Sequence, residues 1–281
     1  MKTPIWLDLE LREDIDDILT LIYALERNAN VRAISINNPS TNELRLLNGV
    51  LRLFDAKIPF FMTGVVTEYP ANKDVTASLS PYMSETPIEA IPLSIEFVKG
   101  LGGPLTVFCG GSLTTLSELI TLKPDVDAVI QGGFASYKLV PETALLKKFK
   151  GRDKVPTWNL NLDLKATEAV LASGIPMLFV SKNICHSAFV SPKDLAPNSM
   201  LATVLANSLE GTKYKDKCLH DVLAFMAIEN PEIFSFKPVE LLRTDDERVK
   251  WWSESREDSN YSISVDYDKD TFLELLKSRP R

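Results

Sequence analysis

Apolar and polar positions along the chain follow two periods. Short apolar runs, "PIWL", "VRAISI", "IPFFMTG", "PLTVFCGG", "VDAVIQGG" and "IPMLFVS", read as strands. Between them, apolar residues recur three or four apart. Ile15, Ile18, Leu19, Ile22 and Leu25 mark one helical face, and Leu44, Leu47, Leu51 and Phe54 mark another. "LTTLSELITL" and "KATEAVLASG" read as two more helices. Such alternation predicts βαβ units and an α/β fold: a mainly parallel, open, doubly wound sheet flanked by helices. The last third is less regular. It holds a helix within "KYKDKCLHDVLAFMAIENPEIF", with Leu223, Met226 and Ala227 on its apolar side. "YSISVDYDKDTFLELLKS" then reads as a strand and a final helix. No repeat, low-complexity stretch or linker divides the chain, so residues 1–281 are expected to form one domain.

Open sheets of this kind bind ligands at the carboxyl ends of their strands. Four polar segments occupy such ends: the acidic stretch after "PIWL", "NNPST", "GGSLTT" and "QGGFAS". The acidic stretch, "DLELREDIDD", carries Asp8, Glu10, Glu13, Asp14, Asp16 and Asp17 against a single cation, Arg12. Helix-dipole and capping effects account for one or two of these acids, Asp14 being a candidate cap. Six acids so close repel one another, which raises their pKa values and costs stability. A hard cation relieves that repulsion, and Ca²⁺ accepts about 6–8 oxygen ligands at flexible geometry. A solvated acidic face fits the same spacing.

Composition narrows the function classes. The formal charge of −7 argues against binding to nucleic acid backbones or anionic membranes. Cys109, Cys185 and Cys218 are widely spaced among apolar neighbours and read as reduced, buried thiols. The start, "MKTPIWLDLE", turns acidic too early for a secretory leader, and no apolar run approaches the ~18 residues of a membrane span. A cytoplasmic protein is expected.

The acidic stretch resembles the N-terminal signature of the inosine–uridine-preferring nucleoside hydrolase family, D-T-D-I-G-x-D-I-D-D. It keeps Asp8, Asp14, Ile15, Asp16 and Asp17, and departs at Glu10 and Arg12. Further segments follow in family order. "CGGSLTTLSELI" is similar to G-P-L-T-N, "VIQGGFA" to V-M-M-G-G-x, and "NNPS" to G-N-V-S. "TWNLNLDLKATEAVLASGIPMLFV" is similar to E-F-N-x-x-x-D-P-E-A-A and its strand, and "CLHDVLAFMAIENPEIF" to the H-D-P segment. Several weak motifs in order carry the resemblance over most of the chain.

The resemblance implies a nucleoside hydrolase fold and calcium-dependent hydrolysis of the N-glycosidic bond of a ribonucleoside or related N-riboside. Asp17, Asp221 and the Thr114 carbonyl would hold the ion, with Glu10 in place of the aspartate that also takes a proton from water. Asp16, Asn38 and Asn159 would bind the sugar, with Thr157 where the family has a glutamate. His220 would stand near the leaving base. A small nucleoside-like substrate and a homodimer or homotetramer follow from the same resemblance. Each residue also has a plainer reading. Asp221 is a candidate helix cap, Thr114 a helix start, Asn159 and Asn161 loop residues, and His186 a structural or rim residue. Trp158 reads as a core residue, the alternative being a ring that stacks on a ligand. The glycine-rich, histidine-containing loop of the family has no counterpart in "DVTASLSPYMSETPIEAI", so the base end is expected to be rebuilt. The alternative is a non-catalytic or altered-substrate homologue that binds a nucleoside or sugar.

Overall fold

The computed structural model describes residues 2–11, 14–63 and 75–278. Arg12, Glu13 and the start of the rebuilt loop, through Asp74, lie outside the described residues. The chain opens with β1 (Ile5–Leu9), α1 (Asp16–Glu26), β2 (Val31–Asn37), α2 (Thr41–Leu53) and β3 (Phe60–Thr63). Then come α3 (Ile95–Gly100), β4 (Leu105–Cys109), α4 (Thr114–Leu122) and β5 (Val126–Gln131). α5 (Trp158–Leu162), α6 (Leu164–Ala172), β6 (Met177–Val180) and α7 (Lys182–Cys185) follow. A small hairpin of β7 (Phe189–Val190) and β8 (Lys217–Cys218) brackets α8 (Met200–Leu209). The chain closes with α9 (His220–Glu229), β9 (Phe234–Arg243), β10 (Trp251–Ser255), β11 (Tyr261–Tyr267) and α10 (Lys269–Lys277).

Nine strands form one sheet in the order β10-β9-β11-β6-β5-β4-β1-β2-β3. From β3 to β11 every neighbouring pair is parallel, and β9 and β10 add an antiparallel edge. The chain leaves β1 toward β2 on one side and later reaches β4 on the other. That reversal places the topological switch point between β1 and β4, where ligand crevices form in open sheets.

Both sheet faces are buried, which is why the strands read as unbroken apolar runs. One face sets Leu7, Leu9, Ile36, Phe108 and Val180 against α1 and α9. The other sets Trp6, Val107, Cys109, Ala128 and Ile130 against α4 and α6. Alternate residues of one strand serve opposite faces, as in Trp6 and Leu7. The helix α9 is buried from Asp221 through Ala227 on every side, not on one stripe alone. The edge strands β9 and β10 were not expected from the sequence. All three cysteines are free and buried. Among the described residues, no helix is long and apolar enough to cross a membrane.

The helix α2 carries two local signals. Ser40 accepts the Glu43 N–H, and the Glu43 carboxylate accepts the Ser40 N–H, a reciprocal capping box. Gly49 lies under the segment after Val75, and a Cβ there would fall 1.8 Å from the Tyr82 carbonyl oxygen. An exposed helical Gly→Ala exchange stabilises by roughly 0.5–1 kcal/mol, whereas overpacking costs about 1–3 kcal/mol. The contact with backbone decides the sign. Gly49→Ala is expected to lower the urea midpoint by an amount equivalent to about 1–3 kcal/mol; a raised midpoint would show that the 75–82 segment moves aside at no cost.

Candidate active site

The strand ends beside the switch point meet in a cavity of about 430 Å³. Glu10 enters from the end of β1, Asp16 and Asp17 from the first turn of α1, and Gly110 from the end of β4. Gln131 and Gly132 come from β5, Thr157, Trp158 and Asn159 from the start of α5, Lys182 and His186 from around α7, and His220 and Asp221 from α9. Asp14 completes the lining. The approach of β4 to α1 requires glycine. A Cβ on Gly110 would lie 2.9 Å from Asp17 Oδ1.

The acids are fixed by backbone amides. Asp17 Oδ1 accepts the Glu10 N–H at 2.8 Å, and Asp16 Oδ2 accepts the Asp221 N–H at 2.9 Å. Asp14 Oδ1 accepts the Asp16 N–H at 3.1 Å, while its other oxygen pairs with Lys217 Nζ at 2.7 Å. Asp14 is not the cap of α1: Ile15 holds that position without a side-chain cap bond, and Asp14 accepts the first helical N–H from one residue further out. Asp221 is not a cap: Leu219 holds the cap position of α9, with no side-chain bond, and the Asp221 side chain faces the cavity group. Burial, then the charge of Asp14, pushes the Asp16 pKa up to about 7. Burial, then Asp221, holds Asp17 well above the carboxylate range, and burial, then Asp16, does the same for Asp221. Beneath them Asp8 accepts the Ser35 hydroxyl, and burial drives its pKa to about 7.

Whether these residues suit a cation can be tested on their oxygens. Asp16 Oδ1 and Asp221 Oδ1 are both buried without a hydrogen-bond partner. An unmet buried carboxylate oxygen is costly, and the donor set here is all oxygen, the preference of a hard divalent ion. Among the described residues, no three His, Cys, Asp or Glu side chains are gathered tightly enough to clasp an ion as they stand. The chemistry of these donors fits such an ion.

The remaining sequence candidates separate into two groups. Glu10 lies at the cavity, where its carboxylate accepts the Trp158 indole N–H at 3.2 Å. Trp158 is 62% exposed, so its assignment to the core is wrong. It starts a five-residue helix at the cavity rim, and the ring is held by its polar edge. Asn159 is buried, and its amide nitrogen donates to Gly110 O, Gln131 O and Gln131 Oε1, each at 2.9 Å. Its Oδ1 is left as the acceptor to offer a ligand. Asn161 instead bonds Val249 O and the Trp251 indole, away from the cavity. The Thr157 hydroxyl is buried without a partner. His220 and His186 face each other edge to face, 4.8 Å between ring centroids. Burial, then Lys217, lowers the His220 pKa to about 4. Burial, then His220, lowers that of His186 to about 3.

Asn38 and Thr114 lie outside the cavity lining. Asn38 adopts a left-handed φ of 48° and donates its N–H to Thr63 O. Thr114 opens α4; its carbonyl accepts the Ser117 hydroxyl at 2.7 Å, and its own hydroxyl donates to Asp163 Oδ2 at 3.0 Å. The neighbouring Asn37 amide ties the β2 end to Ser112 and Thr114, so these loops buttress the site from the side. Gln131 and Lys182 were missed. The rule about strand ends reaches both, since each stands at or just after the end of a strand, β5 or β6.

A protein of Aquifex aeolicus is 26% identical over 275 residues, covering 90% of this chain and 91% of its own. The non-specific ribonucleoside hydrolase RihC of Shigella boydii is 23% identical, covering 85% and 83%. Among solved structures, a plant nucleoside hydrolase, PpNRh1, shares the fold with a TM-score of 0.74 at 19% identity, covering 99% and 98%. The family model described as inosine-uridine preferring nucleoside hydrolase matches residues 5–274. With a parallel sheet whose switch point gathers these carboxylates, the chain belongs to the inosine-uridine preferring nucleoside hydrolase family of N-glycosyl hydrolases.

Proposed function

We propose that this chain hydrolyses the N-glycosidic bond of a ribonucleoside or related N-riboside, releasing ribose and free base, with calcium held at the carboxylate cluster. The observation that carries this reading is the meeting of Asp16, Asp17, Asp221 and Glu10 with Asn159 in one cavity, two of the carboxylate oxygens lacking any partner. Asp17 and Asp221, with Glu10, would hold the ion. Thr114 is kept as a ligand only if α4 yields its first carbonyl from Ser117. When bound, calcium supplies the positive charge that eases loss of a proton from water and orients the sugar diol.

The protein's own groups account for the rest. Water must add to the anomeric carbon while the base departs with a proton, through an oxocarbenium-like transition state. Glu10 would take the water's proton, and the Trp158 indole bonded to its carboxylate would restrain it. Asp16 and Asn159 Oδ1 offer acceptors to sugar hydroxyls, and Thr157 lines the same cavity as a further substrate contact. Asn38 shapes the loop after β2 through its left-handed backbone and its N–H bond to Thr63 O. His220 is neutral at pH 7, since its pKa is near 4, so it serves the base as a hydrogen-bonding imidazole rather than as a charged acid. Self-association as a dimer or tetramer, and a cytoplasmic setting, belong to the same reading.

One observation favours a second reading, a relative that binds a nucleoside or sugar without turnover. Glutamate adds a methylene at the reacting centre, and the Trp158 indole already engages its carboxylate. A shift of roughly 1 Å there can cost about 10²-fold in rate.

Ribose release from a panel of purine and pyrimidine ribonucleosides decides between them. The account expects turnover by calcium-loaded protein, loss of turnover on chelation, and a fall of at least about 10-fold in kcat/KM for Asp17→Asn or Asp221→Asn. No ribose from any nucleoside, by protein of intact circular dichroism, rules the hydrolase reading out. Activity that appears only when Glu10→Asp and Thr157→Glu are combined supports the second.

The imidazoles also set a stability profile. The folded pKa of His220 lies below the unfolded value near 6.5, so its contribution is present above pH 6.5 and is lost as the pH falls toward 4. Replacing His220 with Gln is expected to remove on the order of 1–2 kcal/mol of the stability lost between pH 7.5 and pH 5. Urea midpoints at the two pH values measure this, and an unchanged difference would mean that His220 is protonated in the fold.

A further inference from the structure

The cavity is electrically two-sided. On its acidic side, Lys217 is bonded to Asp14. Its other side is basic. Lys182 lines it, and the charges of Lys148 and Lys182 reach His186, while that of Arg248 reaches Lys182. Among the described residues, no carboxylate pairs with Lys182, Lys148 or Arg248. Among the described residues, the Lys182 ammonium donates only to a carbonyl, Pro156 O, at 2.9 Å. Burial, then Arg248, lowers its pKa, the mark of a cation without a counter-charge. The next residue, Thr157, lines the same cavity and is 2% exposed, and among the described residues its buried hydroxyl has no partner. A half-buried ammonium lacking an anion and a buried hydroxyl lacking a partner, both on residues that line this cavity, leave two donors to be met there.

We propose that this side is an anion subsite, and that the preferred substrate is an N-riboside carrying an anionic oxygen group, either a phosphate on the sugar's 5′ oxygen or a carboxylate on the base. The proposal rests on the reading of the cavity as an N-ribosyl hydrolase site. The anion accepts hydrogen bonds from Lys182 Nζ and Thr157 Oγ1. Lysine suits this role as a compact point charge. The chemistry is unchanged: water adds to the anomeric carbon, the C–N bond breaks, and the base leaves with a proton. A neutral nucleoside leaves both donors unmet, and sites built to bond a group discriminate strongly against substrates lacking it.

The test compares uridine, uridine 5′-monophosphate and a uridine bearing a ring carboxylate, using calcium-loaded wild type, Lys182→Gln and Lys182→Arg. One anionic substrate is expected to exceed uridine in kcat/KM by about 10- to 100-fold. Preference for the phosphate assigns the subsite to the sugar end, and preference for the carboxylate assigns it to the base end. Lys182→Gln should bring the ratio close to one, and Lys182→Arg should restore it. Uridine hydrolysed as well as both anions, with Lys182→Gln altering all three alike, overturns the subsite and leaves the hydrolase reading standing. If folded protein hydrolyses none of the three, the hydrolase reading fails and the subsite is judged by calorimetry with inorganic phosphate and orotate. Binding of either that is lost in Lys182→Gln upholds it, and no binding overturns it.

Discussion

Asp16, Asp17 and Asp221 are held out of water with like charges facing one another, and the molecule around them is arranged to keep them there. Isolated, such burial would be ruinous for an ionised carboxylate. Backbone amides meet part of the demand, from Glu10 to Asp17 and from Asp221 to Asp16. Raised proton affinity meets another part, and Lys217 offsets some of the repulsion through Asp14 and Asp16. Two oxygens stay unmet. Burial without full compensation is common at functional sites, because strain kept there is available to a ligand.

The fold makes this burial possible. The strand order reverses between β1 and β4, opening a crevice, and α1 and α9 deliver their first turns to it from the same side. The helix N-termini add favourable partial charge beside Asp16, Asp17 and Asp221. The all-round apolar surface of α9 anchors Asp221 in the core, so that carboxylate cannot withdraw into solvent. Across the cavity, Asn159 spends its amide protons on Gly110 and Gln131 and thereby joins α5 to the ends of β4 and β5. The same bonds set which face of Asn159 meets a ligand.

Much of this was legible in the sequence, for physical reasons. Strands buried on both faces announce themselves as apolar runs, and the acid stretch is conspicuous because its charge density exceeds what a helix start needs. What was not legible depends on distance in space. Pro238 and alternating charge disguise β9 as an irregular segment, although its partners on β10 and β11 hold it as a strand. Trp158 has a core residue's composition, but its place at a rim is decided by where the short α5 begins. The Thr114 carbonyl and hydroxyl are taken up by Ser117 and Asp163, and the Asn38 N–H by Thr63, bonds that no spacing reveals. Lys182 carried no motif; its isolation from acids appears only once the chain is folded.

The central claim is that the buried carboxylates form a cation site, and ligand-induced stabilisation tests it most directly. Anything that binds the folded state alone raises its stability by mass action. Thermal unfolding of metal-free protein at pH 7.5, followed across a calcium titration, should give a midpoint that rises with concentration. The rise should vanish when Asp17 and Asp221 are both replaced by asparagine in a variant shown to fold. A midpoint indifferent to calcium in the wild type, or an equal rise in the double variant, would contradict the account.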